Sequence, residues 1–316
     1  MPAISSTFAA VRFDSIVKRY ASRAVVDGVS LSIAQGEFFG LLGANGAGKT
    51  TLISMLAGLS RPSAGSVQVL GHDVGVDPIT TRRLLGVVPQ ELVFDPFFSV
   101  RETLRLQSGY FGLASNDDWI DELLHHLGLT SQAGQNMRAL SGGMKRRVMV
   151  AQALVHKPPV IVLDEPTAGV DVELRQSLWQ FITKLNQQGH TVLLTTHYLE
   201  EAEALCSRIG MLKLGRIVAL DSTSALLSRF ASTQMLFRLV AGTLPAELAV
   251  RCKRDGNRLG CVVHDAAEVE SILAALRAGA CEVDELEVRR ADLEDAFMQI
   301  MNGDGPPPSA QGGART

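Results

Sequence analysis

The chain has 316 residues, enough for one large domain and a smaller one, and its formal net charge at pH 7 is −3. That small negative charge gives no electrostatic reason to expect nucleic acid as a partner. No apolar run approaches the length of a membrane span, and the N-terminus lacks the basic segment and long apolar core of a secretory signal. These features predict a soluble, cytosolic protein.

The cysteines are scattered along the chain without the C-x-x-C spacing of a redox or zinc site. They are Cys206, Cys252, Cys261 and Cys281. In a reducing compartment such residues are expected to be buried or incidental free thiols. The spacing therefore predicts neither a disulfide nor a metal site.

Residues 11 to about 230 alternate strand-like and helix-like segments, which predicts an α/β domain with a largely parallel sheet, covering helices and an antiparallel β part. Candidate strands have the sequences VSLSI, FFGLL, SVQVL, LLGVVP, VIVLDE and TVLLTTH. Between about 90 and 140 the pattern changes to two amphipathic helices, the first opening with a capping box formed by Ser99 and Glu102. We interpret this block as a helical insertion.

A small α+β module is predicted over residues 231–302. Its candidate strands are QMLFRLV, RLGCVVH and CEVDELEV, and its candidate helices are AAEVESILAALRAG and DLEDAFMQIM. The remaining residues, 303–316, read GDGPPPSAQGGART and offer no apolar side chains to pack, so this tail is expected to be disordered.

A phosphate-binding loop joins the strand FFGLL to a helix. The stretch GANGAGKT, residues 43–50, matches the pattern G-x-x-x-x-G-K-[ST] without a gap, so the chain is predicted to be a P-loop NTPase. Glycines let backbone N–H groups point at phosphate oxygens, and the helix N-terminus adds partial positive charge. Lys49 is expected to reach the β- and γ-phosphates, and the Thr50 hydroxyl to bind Mg²⁺. The predicted ATP-binding residues of this segment are Gly43, Ala44, Asn45, Gly46, Ala47, Gly48, Lys49, Thr50 and Thr51.

Two adjacent carboxylates follow the apolar run VIVL. Because the carboxyl ends of parallel strands meet at one edge of a sheet, Asp164 is expected to approach the Mg²⁺ ion, directly or through water. Glu165 is then available to polarise a water molecule for in-line attack on the γ-phosphate.

A second anion-binding turn is predicted at the stretch LSGGM, where Ser141, Gly142 and Gly143 offer a hydroxyl and bare backbone N–H groups at a helix start. One nucleotide does not easily need two such turns from one chain. This points to a composite site in which two subunits each contribute one of the turns.

These motifs resemble those of the ATP-binding subunits of ABC transporters over about residues 11–230. The resemblance implies that Gln90 is the lid-loop glutamine that touches Mg²⁺ and senses the permease, and that Asp171 belongs to the inter-subunit loop. It also implies that His197 is the switch histidine at the γ-phosphate and that Tyr20 stacks on adenine. Met144 departs from the glutamine of many members, but LSGGM is familiar among exporter-type members.

Several other side chains have simpler interpretations. Residues 145–147, Lys-Arg-Arg, are predicted to form a solvated helix face, and His125 and His126 are predicted to be structural. Three aromatic residues, Phe94, Phe97 and Phe98, follow Gln90 closely. In the resembled family this stretch borders the groove that receives a permease helix, whereas the alternative is that all three rings pack inside the insertion.

The resemblance implies an ATPase that powers export, with ATP and Mg²⁺ bound between two head-to-tail subunits in a homodimer or heterodimer. A separate transmembrane permease is the implied partner, and the implied location is cytoplasmic, on the inner face of the membrane. The exporters implied serve ABC type 2 permeases, a group with drug, polysaccharide and nodulation-factor systems. The alternative is an ATP-gated clamp or switch on DNA or ribosomes, but the chain has one set of motifs and no heptad run between Lys49 and Ser141. A P-loop kinase would leave LSGGM and His197 unexplained.

Overall fold

The computed structural model describes residues 9–167, 169–229, 233–263, 265–290 and 292–302. The chain divides into two compact units between residues 222 and 223. The predicted domain boundary at residues 230 and 231 and the predicted tail over residues 303–316 lie outside the described residues.

The first unit contains strands, helices and two 3-10 turns. In chain order its strands and helices are β1 (Val11–Tyr20), β2 (Arg23–Ile33), β3 (Phe38–Leu42), α1 (Lys49–Leu56), β4 (Ala64–Val69), β5 (His72–Asp73), α2 (Pro78–Leu84), β6 (Leu85–Val88), α3 (Val100–Tyr110), α4 (Asp117–His126), α5 (Gly142–Leu154), β7 (Val160–Asp164), α6 (Val172–Gln187), β8 (Thr191–Thr195), α7 (Leu199–Leu205), β9 (Arg208–Lys213) and β10 (Arg216–Ser222). The 3-10 turns, Thr130–Gln132 and Met137–Ala139, lie between α4 and α5.

The central sheet has the strand order β10-β9-β3-β8-β7-β6. Neighbouring strands from β9 to β6 are parallel, and only β10 runs antiparallel to its neighbour. Every residue of β3, β7 and β8 is buried. Near-continuous apolar strands are typical of parallel sheets covered on both faces, because neither face meets water. The carboxyl ends of β3, β7 and β8 therefore meet at one edge of the sheet.

A second, antiparallel sheet has the order β2-β1-β4-β5. Its buried side chains, including Phe13 and Leu31, share one hydrophobic core with Leu52 of α1 and Leu193 of β8. The strand β1 was not among the strand candidates. Its register shifts between Phe13 and Ile16, where Ser15 has a φ of 49°, and such a bulge interrupts the alternation by which a strand is recognised.

The predicted insertion contains the helices α3 and α4. The capping box is present: the Glu102 carboxylate accepts the Ser99 backbone N–H at 2.8 Å, and the Ser99 hydroxyl accepts the Glu102 backbone N–H at 3.4 Å. Leu104, Ile120 and Leu123 are completely buried. The two predicted helices and the capping box are thus present.

The second unit contains α8 (Thr223–Arg229), β11 (Thr233–Ala241), α9 (Ala246–Arg251), β12 (Cys252–Asp255), β13 (Arg258–Val263), α10 (Ala266–Ala278), β14 (Glu282–Arg290) and α11 (Leu293–Asn302). Its antiparallel sheet has the order β12-β13-β11-β14, and the core includes Phe237, Ile272 and Leu276. The predicted α+β character is confirmed, although α9 and β12 were not anticipated.

The prediction of four free thiols is wrong for two of the cysteines. Cys252 and Cys261 are directly opposed on β12 and β13 and form a disulfide, while Cys206 and Cys281 remain thiols. The pairing depends on the register of a hairpin whose first strand was not predicted. Within the described ranges, no helix combines the length and apolar character needed to cross a membrane.

Candidate nucleotide-binding site

The phosphate loop occupies the turn from β3 to α1, and two of its glycines are required by its geometry. A Cβ atom on Gly43 would lie 2.4 Å from the carbonyl oxygen of Leu212. Gly48 caps α1 with a φ of 110°, a conformation that side chains with a Cβ rarely adopt. Any other residue at these two positions would therefore displace or strain the backbone of the loop.

Lys49 is the first residue of α1, and only 8% of it is exposed. Its Nζ donates hydrogen bonds to the carbonyl oxygens of Gly43 at 2.6 Å and Ala44 at 3.3 Å. Burial lowers the pKa of Lys49, and the nearby Glu165 and Asp164 carboxylates oppose that shift. The ammonium group is thus held against the loop, on the side where the carboxylates lie.

A pocket of about 320 Å³ opens over the loop. It is lined by Val25, Asn45, Gly46, Ala47, Gly48, Lys49, Thr50, Thr51, Gln90 and Glu165. Segments that are far apart in the sequence meet there: the phosphate loop, the residues after β6 and the residues after β7. The structure therefore brings most of the predicted nucleotide-binding and catalytic residues together.

Asp164 ends β7 and is almost completely buried. The Thr195 hydroxyl donates a hydrogen bond to its Oδ1, whereas its Oδ2 is buried and has no hydrogen-bond partner among the described residues. Burial raises the pKa of Asp164, and the Thr195 and Thr50 side chains oppose the shift. One carboxylate oxygen is therefore fixed and the other is left as a buried acceptor.

Glu165 follows in an unusual backbone conformation, with a φ of 51°. Its backbone N–H donates to the Thr195 carbonyl at 3.0 Å. Its side chain is 14% exposed, and Oε2 lies 3.3 Å from Nδ1 of His197. A non-glycine residue in the left-handed region is strained, and such strain is concentrated at functional sites. The backbone thus turns directly after Asp164 and presents Glu165 to the pocket and to His197.

The turn with the sequence LSGGM lies at the start of α5 and outside the pocket lining. Ser141 and Gly142 are exposed, and the Ser141 hydroxyl accepts the backbone N–H of Met144 at 3.3 Å. A Cβ atom on Gly143 would lie 2.9 Å from the carbonyl oxygen of Gly169. This turn therefore packs against the loop that leads to α6.

Asp171 ends that loop and caps α6, accepting the Leu174 backbone N–H at 3.1 Å. Like Ser141 and Gly142, it is exposed. The residues predicted to act across a subunit interface therefore lie on neighbouring, accessible segments.

Tyr20 also lies outside the pocket lining. It is 53% exposed at the hairpin between β1 and β2, and Nζ of Lys18 lies 5.0 Å from its ring centroid. The same hairpin contributes Val25 to the pocket. The predicted stacking of Tyr20 on adenine remains a prediction.

The interpretation of residues 145–147 as a solvated face is wrong for both arginines. Arg146 is 6% exposed and Arg147 is 4% exposed. Arg147 donates to the carbonyl oxygens of Leu127 at 2.6 Å and Gly128 at 3.1 Å. Arg146 donates to the carbonyl oxygens of Pro89 and Gln90. Loop carbonyls accept from both guanidinium groups, which offsets part of the cost of burying the two charges, while Nε of each arginine has no hydrogen-bond partner among the described residues.

A buried carboxylate that sequence reasoning missed joins two loops of the site. Glu201 on α7 accepts hydrogen bonds from the Thr167 hydroxyl at 3.2 Å, the Thr196 hydroxyl at 3.0 Å and the Trp179 ring N–H at 3.0 Å. Thr167 follows Glu165, and Thr196 precedes His197. The sequence signal was the position of Glu201, four residues after His197. That position suggests a structural role only when the fold is known.

The aromatic residues after Gln90 do not all pack inside the insertion, so that alternative is wrong. Phe97 is 75% exposed, with the Arg138 guanidinium 5.4 Å from its ring centroid, while Phe94 and Phe98 are half-buried. Its contact with a permease remains a prediction.

The ring of His126 stacks on Phe181 at 4.6 Å, as expected for a structural histidine. Within the described residues no group of three or more His, Cys, Asp or Glu side chains could hold a metal ion.

A glycine loop, a buried lysine and two carboxylates at the ends of parallel strands define a P-loop nucleotide-binding protein. The family model described as ABC transporter matches residues 26–168. The chain is 40% identical to Nod factor export ATP-binding protein I of Burkholderia thailandensis over 92% of this chain and 97% of that protein. It is 34% identical to linearmycin resistance ATP-binding protein LnrL of Bacillus subtilis, over 91% and 96%.

Among solved structures, the chain is similar to the dimeric post-hydrolysis state of the ATP-binding cassette MJ0796 bound to ADP and Pi. The TM-score is 0.62 and the identity 29%, over 67% of this chain and 98% of that one. The chain therefore belongs to the ABC transporter family, as an ATP-binding subunit of the exporter type. Its function is to hydrolyse ATP and so power export through a separate permease, with ATPase subunits acting as a dimer. The alternative of a clamp on DNA or ribosomes is not favoured.

Proposed function

We propose that ATP binds in the pocket over the phosphate loop and is hydrolysed there with Glu165 as general base. The observation that carries this proposal is the meeting of Lys49, Gln90 and Glu165 around one pocket. Backbone N–H groups of residues 46–50 receive the β- and γ-phosphates, and the buried Lys49 ammonium neutralises part of their charge.

In the hydrolytic step, the oxygen of a water molecule attacks the γ-phosphorus while the Glu165 carboxylate accepts the proton that this water loses. The bond between the γ-phosphorus and the β,γ-bridging oxygen breaks, and ADP leaves with that oxygen. His197 Nδ1 lies 3.3 Å from Oε2 of Glu165, so the imidazole orients this carboxylate. His197 is also the proposed contact to the γ-phosphate.

The residues fit Mg²⁺, a hard cation that prefers oxygen ligands and keeps part of its water and phosphate shell. The groups that would hold it are the Thr50 hydroxyl, the Gln90 side-chain oxygen and Oδ2 of Asp164, which is buried and has no hydrogen-bond partner among the described residues. When bound, the ion neutralises charge on the β- and γ-phosphates. Few protein carboxylates are needed because the nucleotide supplies most of the negative charge.

We infer that the site is completed by a second subunit. Ser141, Gly142 and Asp171 are exposed and lie outside the pocket of their own chain, as groups that act on a partner's nucleotide must. Tyr20 stacks on adenine at the outer end of the pocket. The dimer works on the inner face of the membrane, where at least one of Phe94, Phe97 and Phe98 faces the permease. Phe97 is the exposed one of the three.

The test is Glu165→Gln, which keeps the shape of the side chain and removes the base. Steady-state phosphate release should fall by roughly 10²–10⁴-fold, while ATP binding persists and an ATP-bound dimer accumulates on size-exclusion chromatography. Glu270→Gln, at an exposed position of α10, is the matched control and should hydrolyse ATP at the normal rate. Turnover of Glu165→Gln near that of the control would refute the role of Glu165.

A further inference from the structure

Arg146 is a buried cation that the hydrolytic mechanism does not use. It lies on α5, and only 6% of it is exposed. Its Nη1 donates to the carbonyl oxygen of Pro89 at 2.6 Å, and its Nη2 donates to the carbonyl oxygen of Gln90. The two acceptors belong to successive residues, so one side chain holds two consecutive peptide units.

This arrangement restrains the backbone of Gln90, a residue of the pocket lining. A guanidinium group is planar and donates through a rigid fork, so two bonds to successive carbonyls fix both the position and the rotation of the segment. A lysine ammonium lacks this fork and restrains orientation much less. Gln90 and Glu165 both line the nucleotide pocket.

The same helix carries the exposed turn that faces a second subunit. α5 begins directly after Ser141, so Ser141 and Arg146 lie little more than one helical turn apart on one rigid element. Asp164 and Glu165 act electrostatically on Arg146 and oppose the pKa decrease that its burial causes. Arg146 therefore connects the α5 turn, the segment that bears Gln90 and the carboxylates of the nucleotide site.

We propose that Arg146 is a positioning residue that fixes Gln90 to α5, so that movement of the Ser141–Gly143 turn against a partner subunit changes the position of Gln90 in the pocket of its own chain. This inference rests on the role proposed for Gln90. In this proposal the buried guanidinium connects two nucleotide sites mechanically. The Ser141–Gly143 turn contacts the nucleotide of the partner subunit, and Gln90 contacts the nucleotide in the pocket of its own chain.

Arg147 provides an unusually close control. It is the next residue, is equally buried, and also donates to two successive carbonyl oxygens, those of Leu127 and Gly128. These acceptors lie after α4, on a segment that contributes nothing to the described pocket lining. Replacing either arginine by methionine removes a buried cation and two hydrogen bonds, but only Arg146→Met releases Gln90.

The first measurement needs no nucleotide. Glu91 is exposed and follows Gln90, so a glutamyl endopeptidase can cut after it when the segment is free to move. Loss of two charge-assisted hydrogen bonds should make cleavage after Glu91 roughly tenfold faster in Arg146→Met than in the wild type or in Arg147→Met. Equal cleavage in the two methionine variants overturns the proposal.

The second measurement is a double-mutant cycle on the ATPase kcat. Gln90→Ala should lower kcat by the same factor in the wild type and in Arg147→Met, but by less than about twofold in Arg146→Met, because its position is already lost there. An equal loss in all three backgrounds overturns the positioning role alone. Unchanged kcat in Gln90→Ala itself overturns the role of Gln90, and the inference with it.

Arg146→Lys keeps the experiment decisive if Arg146→Met does not fold, because it retains the buried charge and one donor group. Cleavage after Glu91 should be intermediate between the wild type and the methionine variant, and Gln90→Ala should lower kcat less than in the wild type. Wild-type cleavage together with a full Gln90→Ala effect in this background overturns the proposal.

Discussion

The helices α1 and α5 both begin at glycine-containing turns, but this chain builds different surroundings for the two turns. At α1 the cap is the buried Gly48, the Lys49 side chain folds back onto loop carbonyls, and a pocket opens above. At α5 the cap is the exposed Ser141, whose hydroxyl is used by its own helix. One turn is a nearly complete phosphate site, and the other is accessible from outside.

One glycine from each turn shows the same difference. A Cβ atom on Gly43 would collide with the Leu212 backbone, whereas a Cβ atom on Gly142 would meet nothing within 4 Å among the described residues. The first glycine is explained by packing inside the chain. The second has no steric explanation among the described residues, and the composite site proposed above would supply one, namely close approach of the nucleotide bound by a partner subunit.

The largest expected effect is that of Gly43→Ala. Because the obstructing atom at 2.4 Å is a backbone oxygen of β9, the loop or the strand must shift. Overpacking of this kind costs roughly 1–3 kcal/mol of unfolding free energy, and the displaced loop should no longer bind ATP. Urea denaturation and equilibrium ATP titration measure the two effects. Gly134→Ala is the control, since its Cβ atom meets open space, and it should resemble the wild type.

An intermediate effect is expected for Lys49→Ala, which leaves the loop backbone in place and removes the cation. Hydrogen bonds to charged groups are worth about 1.5–3 kcal/mol, so ATP affinity should fall roughly 10- to 100-fold. Isothermal titration measures the affinity, with the exposed Lys253→Ala as the charge-matched control. Unchanged affinity in Lys49→Ala would show that the pocket over the loop is not the ATP site.

The α1 turn could be predicted from the sequence because all its determinants are local. A buried strand, a glycine pattern and an amphipathic helix follow one another within residues 38–56, and each has its own signal. The parallel strands β7 and β8 could be predicted equally well, since their apolar runs are continuous. By contrast, β1 was missed because its bulge at Ser15 interrupts the alternation of buried side chains.

The buried charges could not be predicted, because what makes them tolerable lies far away in the sequence. Arg146 donates to carbonyl oxygens 57 and 56 residues before it, and Glu201 accepts from hydroxyls of two different loops. A run of three cations on a helix is more often exposed than buried. The disulfide between Cys252 and Cys261 was missed for a different reason: the two residues are only nine apart in the sequence, but their pairing depends on the register of β12 and β13, and β12 was not predicted.

The residues of the α5 turn differ from both groups. Their motif predicts a role at a subunit interface, and a single chain shows only the local part of that role. Ser141 keeps a local function as the cap of α5, worth about 1 kcal/mol on average. Gly142 has no local function of this kind. It is therefore the residue at which the comparison between the two turns can be tested with least disturbance of the fold.

The smallest effect on the chain itself is expected for Gly142→Ala. A Cβ atom there meets no described atom within 4 Å, and alanine favours the helix by roughly 1 kcal/mol over glycine, so unfolding free energy should not decrease. ATP affinity of the single subunit should also be unchanged, because Gly142 lies outside the pocket lining. ATP-driven dimer formation and steady-state hydrolysis should fall, because the added methyl group separates the turn from the partner's nucleotide. Sedimentation velocity with ATP measures dimerisation, and Gly134→Ala again serves as control. If Gly142→Ala dimerises normally, a partner subunit does not explain the absence of a side chain at residue 142. The α5 turn would then have no demonstrated role at the nucleotide of a partner subunit.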